Sequence, residues 1–374
     1  MDESNAASNA PVSDRGKRQW AGWAGGARFA VRRSLRAAIA TVTLCIAGCS
    51  PGSAFAQDVA QLFRGKQIRL VIGSSPGGGY DLFARTIAAY WTRHIPGNPT
   101  IVPQNLPGAS SMQAANHIFS VAPKDGTVIG AVNPQVVTRA ILDPERARVD
   151  ARQFTWIGSA LRESQLMVAR TDAPVKTFDD AFKTELIVGG SGGADETFPI
   201  LTNAVLGTKF KLVTGYPGTR DINLAMERGE VQANGGITWA SIKGTMTALL
   251  AEHKINLIVQ YGLKPHPDLP QVPLALSYAM TQEQRESLLL LFATQEFGRP
   301  YLAPPGTPAP IAAVLRESFM ATMRDPEFLE DAHRRGLDVD PTTSEEIDGL
   351  VRQLYATPAD TVHRVRDVFA NQKK

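Results

Sequence analysis

The chain has 374 residues and a formal net charge of +3, from 39 Lys and Arg against 36 Asp and Glu. Seven of those basic and three of those acidic residues precede position 57, leaving 32 against 33, so the remainder is close to neutral and offers no basic face for nucleic acid or an anionic membrane surface. Both cysteines, Cys45 and Cys49, lie in that leading segment, which excludes disulfide and thiol chemistry from the rest.

Residues 1–56 read as an N-terminal extension and export signal. Arg28, Arg32, Arg33 and Arg36 precede an apolar run, Ala37 to Ala47, too short to span a bilayer, and Ala54-Phe55-Ala56 supplies a small-x-small cleavage site. Cleavage after Ala56 would deliver a soluble chain to the periplasm. A competing lipoprotein-type site, Ile46-Ala47-Gly48-Cys49, would instead anchor it at Cys49. No later segment approaches the roughly 20 apolar residues of a membrane span. The stretch beyond residue 56 is longer than one core usually fills, which predicts two lobes.

From there, strand patterns alternate with helical ones. Lys66 to Gly73 predicts a strand, and the helix from Tyr80 sets Phe83, Ile87, Tyr90 and Trp91 on one face. Thr100 to Val102 is a second strand, a short helix carries Met112, Ala115, Ile118 and Phe119, and Val128 to Val132 is a third strand. Charged, proline-punctuated residues from Asp143 to Arg152 then open a second half, with crossovers between halves expected near Val149 to Ser159 and Phe292 to Gly298. In this half, strands are predicted at Leu166 to Ala169, Glu185 to Val188, Phe210 to Val213, Glu230 to Gln232 and Ile255 to Gln260. Helices separate them at Phe178 to Lys183, Phe198 to Leu206, Asp221 to Arg228 and Thr238 to Leu250. The last 80 or so residues turn helical, with a helix capped by Asp325 and started by Pro326, and are interrupted by one strand, Arg299 to Ala303, that rejoins the first lobe.

The chemistry is expected in loops. Ser74-Ser75-Pro76-Gly77-Gly78-Gly79-Tyr80-Asp81 joins the first strand to its helix, where backbone N–H groups and the positive dipole end suit an anion. The loop spells neither a Walker motif nor a dinucleotide fingerprint, which favours a carboxylate over a nucleotide. Gly189-Gly190-Ser191-Gly192-Gly193 repeats the design in the second half, and Tyr216-Pro217-Gly218-Thr219 gives a third such turn with Thr219 placed as an N-cap or ligand donor. Asn133, just past the third strand, could bond ligand or only satisfy the crossover, and Trp239, at a strand-to-helix junction, could line the cleft or the core.

Five motifs occur in order: the loop from Ser75 to Asp81, Asn105-Leu106-Pro107-Gly108-Ala109, Pro123-Lys124-Asp125-Gly126, Tyr216-Pro217-Gly218-Thr219 and Leu302-Ala303-Pro304-Pro305-Gly306-Thr307-Pro308. With them the chain resembles the Bug-type (tricarboxylate-receptor) extracytoplasmic solute-binding proteins of tripartite tricarboxylate transporters. The resemblance implies an α/β, two-lobed periplasmic-binding-protein (Venus flytrap) fold, each lobe a mixed sheet flanked by helices. Its parts would be 57–160 for lobe 1, 161–292 for lobe 2 and 293–374 for the return to lobe 1. It further implies a protein without catalytic activity that captures a small organic carboxylate and hands it to membrane permease subunits; a monomer without cofactor is expected, and the six isolated histidines, with no H-x-x-x-H spacing and no Cys/His cluster, argue against a metal site. By motif position the first jaw would be Ser74, Ser75, Gly78, Gly79, Tyr80 and Asp81, and the second Ser191, Gly192 and Gly193, with Thr219, Asn133 and Trp239 beside them. Tyr80 stands where the family often has threonine, and Ser110-Ser111 where glycines are common, which points to a bulky or aromatic acid. Asp195 and Glu196 would repel a second anionic group unless they only cap the following helix.

Two other readings stay open. Gly189 to Gly193 literally matches the G-x-S-x-G of serine esterases, with Ser191 as nucleophile and Asp268 and His333 or His363 downstream, although no His-Gly-Gly segment precedes it. A carboxylate sensor feeding a signalling partner would use the same binding fold.

Overall fold

The computed structural model describes residues 61–77 and 79–371. The signal, its cleavage site at Ala56, Cys49 and the jaw glycine Gly78 lie outside those residues. Two mixed sheets organise the chain. The first contains β1 (Gln67–Ile72), β2 (Thr100–Asn105), β3 (Val128–Ala131) and β4 (Thr155–Ser159). The second is built from β5 (Gln165–Arg170), β6 (Leu186–Gly190), β7 (Phe210–Thr214), β8 (Ala233–Thr238) and β9 (Ile255–Tyr261). The chain then returns to the first sheet with β10 (Pro300–Ala303) and β11 (Thr342–Thr343). Strand order is β11-β4-β10-β3-β1-β2 in one sheet and β7-β6-β8-β5-β9 in the other.

Helices α1 (Gly79–Trp91), α2 (Met112–Ser120), α3 (Gln135–Leu142) and α4 (Pro144–Ala147) belong to the first half, and α5 (Ala194–Leu206), α6 (Thr219–Arg228), α7 (Trp239–Thr245) and α8 (Thr247–Ala251) to the second. The tail adds α9 (Gln282–Phe292), α10 (Ala309–Thr322), α11 (Pro326–Arg334), α12 (Ser344–Tyr355) and α13 (Ala359–Asn371). The apolar face read for α1 is the one it buries: Phe83, Ile87 and Trp91 are shielded, and the Trp91 ring meets Tyr301 and Phe319 edge-on at 5.7 and 5.1 Å. Asp325 caps α11 as expected, its carboxylate accepting the N–H of Glu327 and Phe328. Thr281 and Thr343 start α9 and α12 with reciprocal capping boxes.

Three expectations are corrected. Glu230 to Gln232 precede the strand instead of forming it; β8 is Ala-Asn-Gly-Gly-Ile-Thr, whose glycines hide its strand character. Thr155 to Ser159, read as crossover, is a strand paired with β10 and β11. The helix expected over Thr238 to Leu250 is two, α7 and α8, separated at Met246.

Sheet order places the loops. β1 connects through α1 to β2 on one side of it, whereas β3 lies on its other side, so the chain reverses direction between β1 and β3. In the second sheet β6 is flanked likewise by β7 and β8. Ligands of open α/β sheets bind outside the carboxyl ends of strands at such reversals. Both glycine-rich loops, 73–79 and 190–193, emerge there.

The halves are joined by two antiparallel segments. The N–H of Ala160 donates to the Arg299 carbonyl (3.1 Å), that of Gly298 to Leu161 (2.8 Å) and that of Glu163 to Gln295 (2.8 Å).

Candidate functional site

In the first loop, Asp81 is buried and turns back onto the turn that precedes it. Its carboxylate accepts the Gly77 N–H (2.8 Å), Asn105 Nδ2 (2.8 Å) and Arg85 Nε (2.8 Å), while Asn105 Nδ2 also donates to the Ser74 carbonyl (2.9 Å). Burial by itself would raise the Asp81 pKa, but the bonds from Gly77, Asn105 and Arg85 together hold it below the usual carboxylate range. Asp81 therefore works inside the loop, fixing its shape. Gly79 opens α1, whose first N–H groups have no intrahelical partner. Ser75 is exposed, and Ser74 half-buried with a shielded hydroxyl that has no partner among the described residues.

Tyr80 is engaged elsewhere than the expectation of a bulky-acid pocket assumed. Its hydroxyl donates to the Gly298 carbonyl (3.1 Å), and the Arg299 guanidinium lies 3.8 Å over its ring. Arg299 Nη2 in turn stands 2.7 Å from Glu163 Oε1, an ion pair with side chains only 13% and 3% exposed. Burial pushes the Glu163 carboxyl up despite Arg299. The first loop is thus strapped to both joining segments through Tyr80, Arg299 and Glu163.

A buried hydroxyl fastens the neighbouring turns. Ser111 Oγ donates to the Gly73 carbonyl (2.8 Å) and accepts the Asn133 N–H (2.9 Å), tying the ends of β1 and β3 across the reversal. Asn133 Oδ1 meanwhile accepts the Gln135 N–H at the start of α3 (2.8 Å). Ala109, Ser110 and Ser111 all have left-handed backbones, φ +47°, +51° and +70°, a conformation that favours glycine. Ser111→Ala is expected to cost about 1 to 3 kcal/mol by stranding two backbone groups, measured as a lower urea midpoint at unchanged slope.

The second loop differs in one respect that matters for chemistry. Asp195 Oδ1 accepts the N–H groups of Ser191 (2.9 Å) and Gly193 (3.2 Å), Asp195 Oδ2 accepts the Ser191 hydroxyl (2.5 Å), and Glu196 Oε1 accepts the Gly192 N–H (2.7 Å). All three loop amides are already bonded to carboxylates of α5. Burial raises the Glu196 pKa, the Gly192 bond lowers it and Asp195 raises it again, with a net shift upward. The bond to Asp195 also engages the Ser191 hydroxyl with a carboxylate, where an esterase nucleophile needs a histidine.

Thr219 is the first residue of α6 and not its cap; Gly218 holds the cap position and no side chain bonds there. Trp239 is 8% exposed, its Nε1–H donates to Asp268 (2.8 Å), and it lines a cavity of about 670 Å³ beside Leu161 to Ser164. Sequence reasoning passed over Glu163 altogether, placed Arg299 only as the start of a strand, and read Ser111 only as a sign of a bulky acid and not as the hydroxyl that ties two turns together.

Two mixed sheets joined by paired crossing segments, with glycine-rich loops at the reversal point of each, define the two-lobed fold of periplasmic binding proteins. No family model matches the chain. It is 27% identical over 300 residues to the UPF0065 protein in the gbd 5'region of Cupriavidus necator, covering 76% of this chain and 83% of that protein. Among solved structures, a TctC solute binding protein from Polaromonas superposes with a TM-score of 0.63 at 16% identity, over 82% of this chain and 98% of the other. An R. palustris protein solved with adipate gives 0.59 at 20% identity, over 80% and 97%. The fold and the resemblance to the tricarboxylate-receptor proteins are both borne out. Among the described residues, no helix is long and apolar enough to cross a membrane.

Proposed function

We propose that the chain is an exported solute-binding receptor, not an enzyme, that captures a small organic carboxylate between its two halves and presents it to the permease subunits of a tripartite tricarboxylate-type transporter. Lobes at 57–160 with 293–374, and at 161–292, would close about the joining segments, and cleavage after Ala56 would free the chain in the periplasm. The first jaw would be the helix-start amides at Gly79 with Ser74, Ser75 and Gly78, and Asn133 past β3, Thr219 at the start of α6 and Trp239 at the start of α7 would complete the site. The observation that carries the reading is the pairing of two strand–glycine turn–helix loops at two sheet reversals, on a fold shared with an R. palustris protein solved with adipate.

A thermal-shift panel of mono- and dicarboxylates against the purified chain tests it. A true ligand at 100 times its Kd is expected to stabilise by about 2.7 kcal/mol. An unmoved transition across the whole panel would remove the reading.

A further inference from the structure

Gly79, the opening residue of α1, is exposed, and a Cβ placed on it would have Arg299 Nη2, 3.8 Å away, as its nearest neighbour from outside the helix. Two rings of α1 hold the guanidinium over that turn: its carbon lies 3.8 Å from the centre of the Tyr80 ring and 5.7 Å from that of Phe83. A positive charge therefore flanks the helix-start amides on which the receptor reading seats a carboxylate. That charge is only partly engaged. A guanidinium carries several N–H donors, and Arg299 has one carboxylate contact among the described residues, Nη2 to Glu163 Oε1 at 2.7 Å. Its Nε, shielded from solvent, has no hydrogen-bond partner among them. The other arginine of the loop, Arg85, is held by Asp81 (2.8 Å) and Asn105 (2.7 Å).

We propose that Arg299 is a ligand-binding residue of the first jaw: a carboxylate docked at the start of α1 lies against its guanidinium, and Glu163 is the built-in counter-anion that limits how tightly the carboxylate is held. The inference rests on the receptor reading and deepens it. Glu163 and Arg299 stand on the two joining segments, which are bonded to each other through Gly298 and Leu161, so the seat shares its cation with the joint between the halves. The buried Glu163 carboxylate attracts the same guanidinium as an incoming anion and repels that anion. Removing its charge while keeping its shape therefore raises the affinity of the seat. A pair with a purely structural role would lose stability on the same change and gain no affinity.

Acetate is a minimal probe of the seat and acetamide its uncharged counterpart, so thermal-shift titrations with both, at constant ionic strength, decide the matter. They are run on the wild-type chain, on Glu163→Gln, and on the double variant Glu163→Gln/Arg299→Gln, which removes both buried charges together. Glu163→Gln is expected to reach its half-maximal shift at an acetate concentration about tenfold lower than the wild type, and the double variant at one about tenfold higher, with no response to acetamide in any of the three. An acetate response in the double variant equal to that of the wild type would overturn the role of Arg299, whether or not Glu163→Gln folds. The receptor reading would survive that result as long as some acid of the carboxylate panel stabilises the wild-type chain. A panel in which none does would overturn both.

Discussion

Arg299→Ala is expected to destabilise the fold by about 3 to 5 kcal/mol, the usual effect of removing one partner of a buried ion pair. The guanidinium covers Tyr80 and neutralises Glu163, and no water-exposed route is open to a carboxylate that is 3% exposed. The loss has a pH signature. Burial already raises the Glu163 pKa, and Arg299 is what opposes that rise. A carboxyl with a raised folded-state pKa contributes stability that is fully present below its unfolded value, about 4.3, and lost as pH rises through the folded value. Without Arg299 the upward shift grows, so the deficit should be larger at pH 7.5 than at pH 4.5. Urea denaturation at both values measures it, and Glu163→Gln in the same background should recover much of the loss. A deficit under about 1 kcal/mol at both pH values would show the pair to be solvated and the strap between loop and joining segments to be weak.

Gly236→Val should be nearly as damaging, by about 3 kcal/mol, because the side chain has nowhere to go. A Cβ on Gly236 would sit 2.5 Å from the Ala194 carbonyl carbon, 2.7 Å from its oxygen and 2.7 Å from the Asp195 nitrogen. These are backbone atoms and cannot rotate aside. The start of α5 would have to lift off β8, carrying Asp195 and the second loop with it, so any ligand-induced thermal shift should vanish along with the stability. Gly244 is the control in the same half: no atom lies within 4 Å of its Cβ position, and Gly244→Ala should be neutral or stabilising by up to about 1 kcal/mol. A folded Gly236→Val protein with the wild-type midpoint would mean that α5 does not rest on the β8 glycines.

The glycines of β8 show why that strand escaped the sequence. Strand patterns are recognised by the side chains that cover them, and Asn234-Gly235-Gly236 has almost none, since a helix backbone covers it instead. The short crossover strand β4 was hidden for a related reason: its pairing partners, β10 and β11, come from the far end of the chain.

Local order was written in the sequence alone: the alternation of strands and helices, the capped start of α11 at Asp325 and the two glycine-rich loops. Each depends on residues within a few positions of one another, where periodicity, caps and turn chemistry act. Tertiary structure decided what those loops can bind. That Tyr80 would lie beneath Arg299, that Arg299 would pair with Glu163 and that Ser111 would tie the Gly73 carbonyl to the Asn133 N–H are consequences of distances across the fold. A charge or a hydrogen bond is spent on whichever partner folding brings within reach, and one-dimensional spacing does not encode that reach.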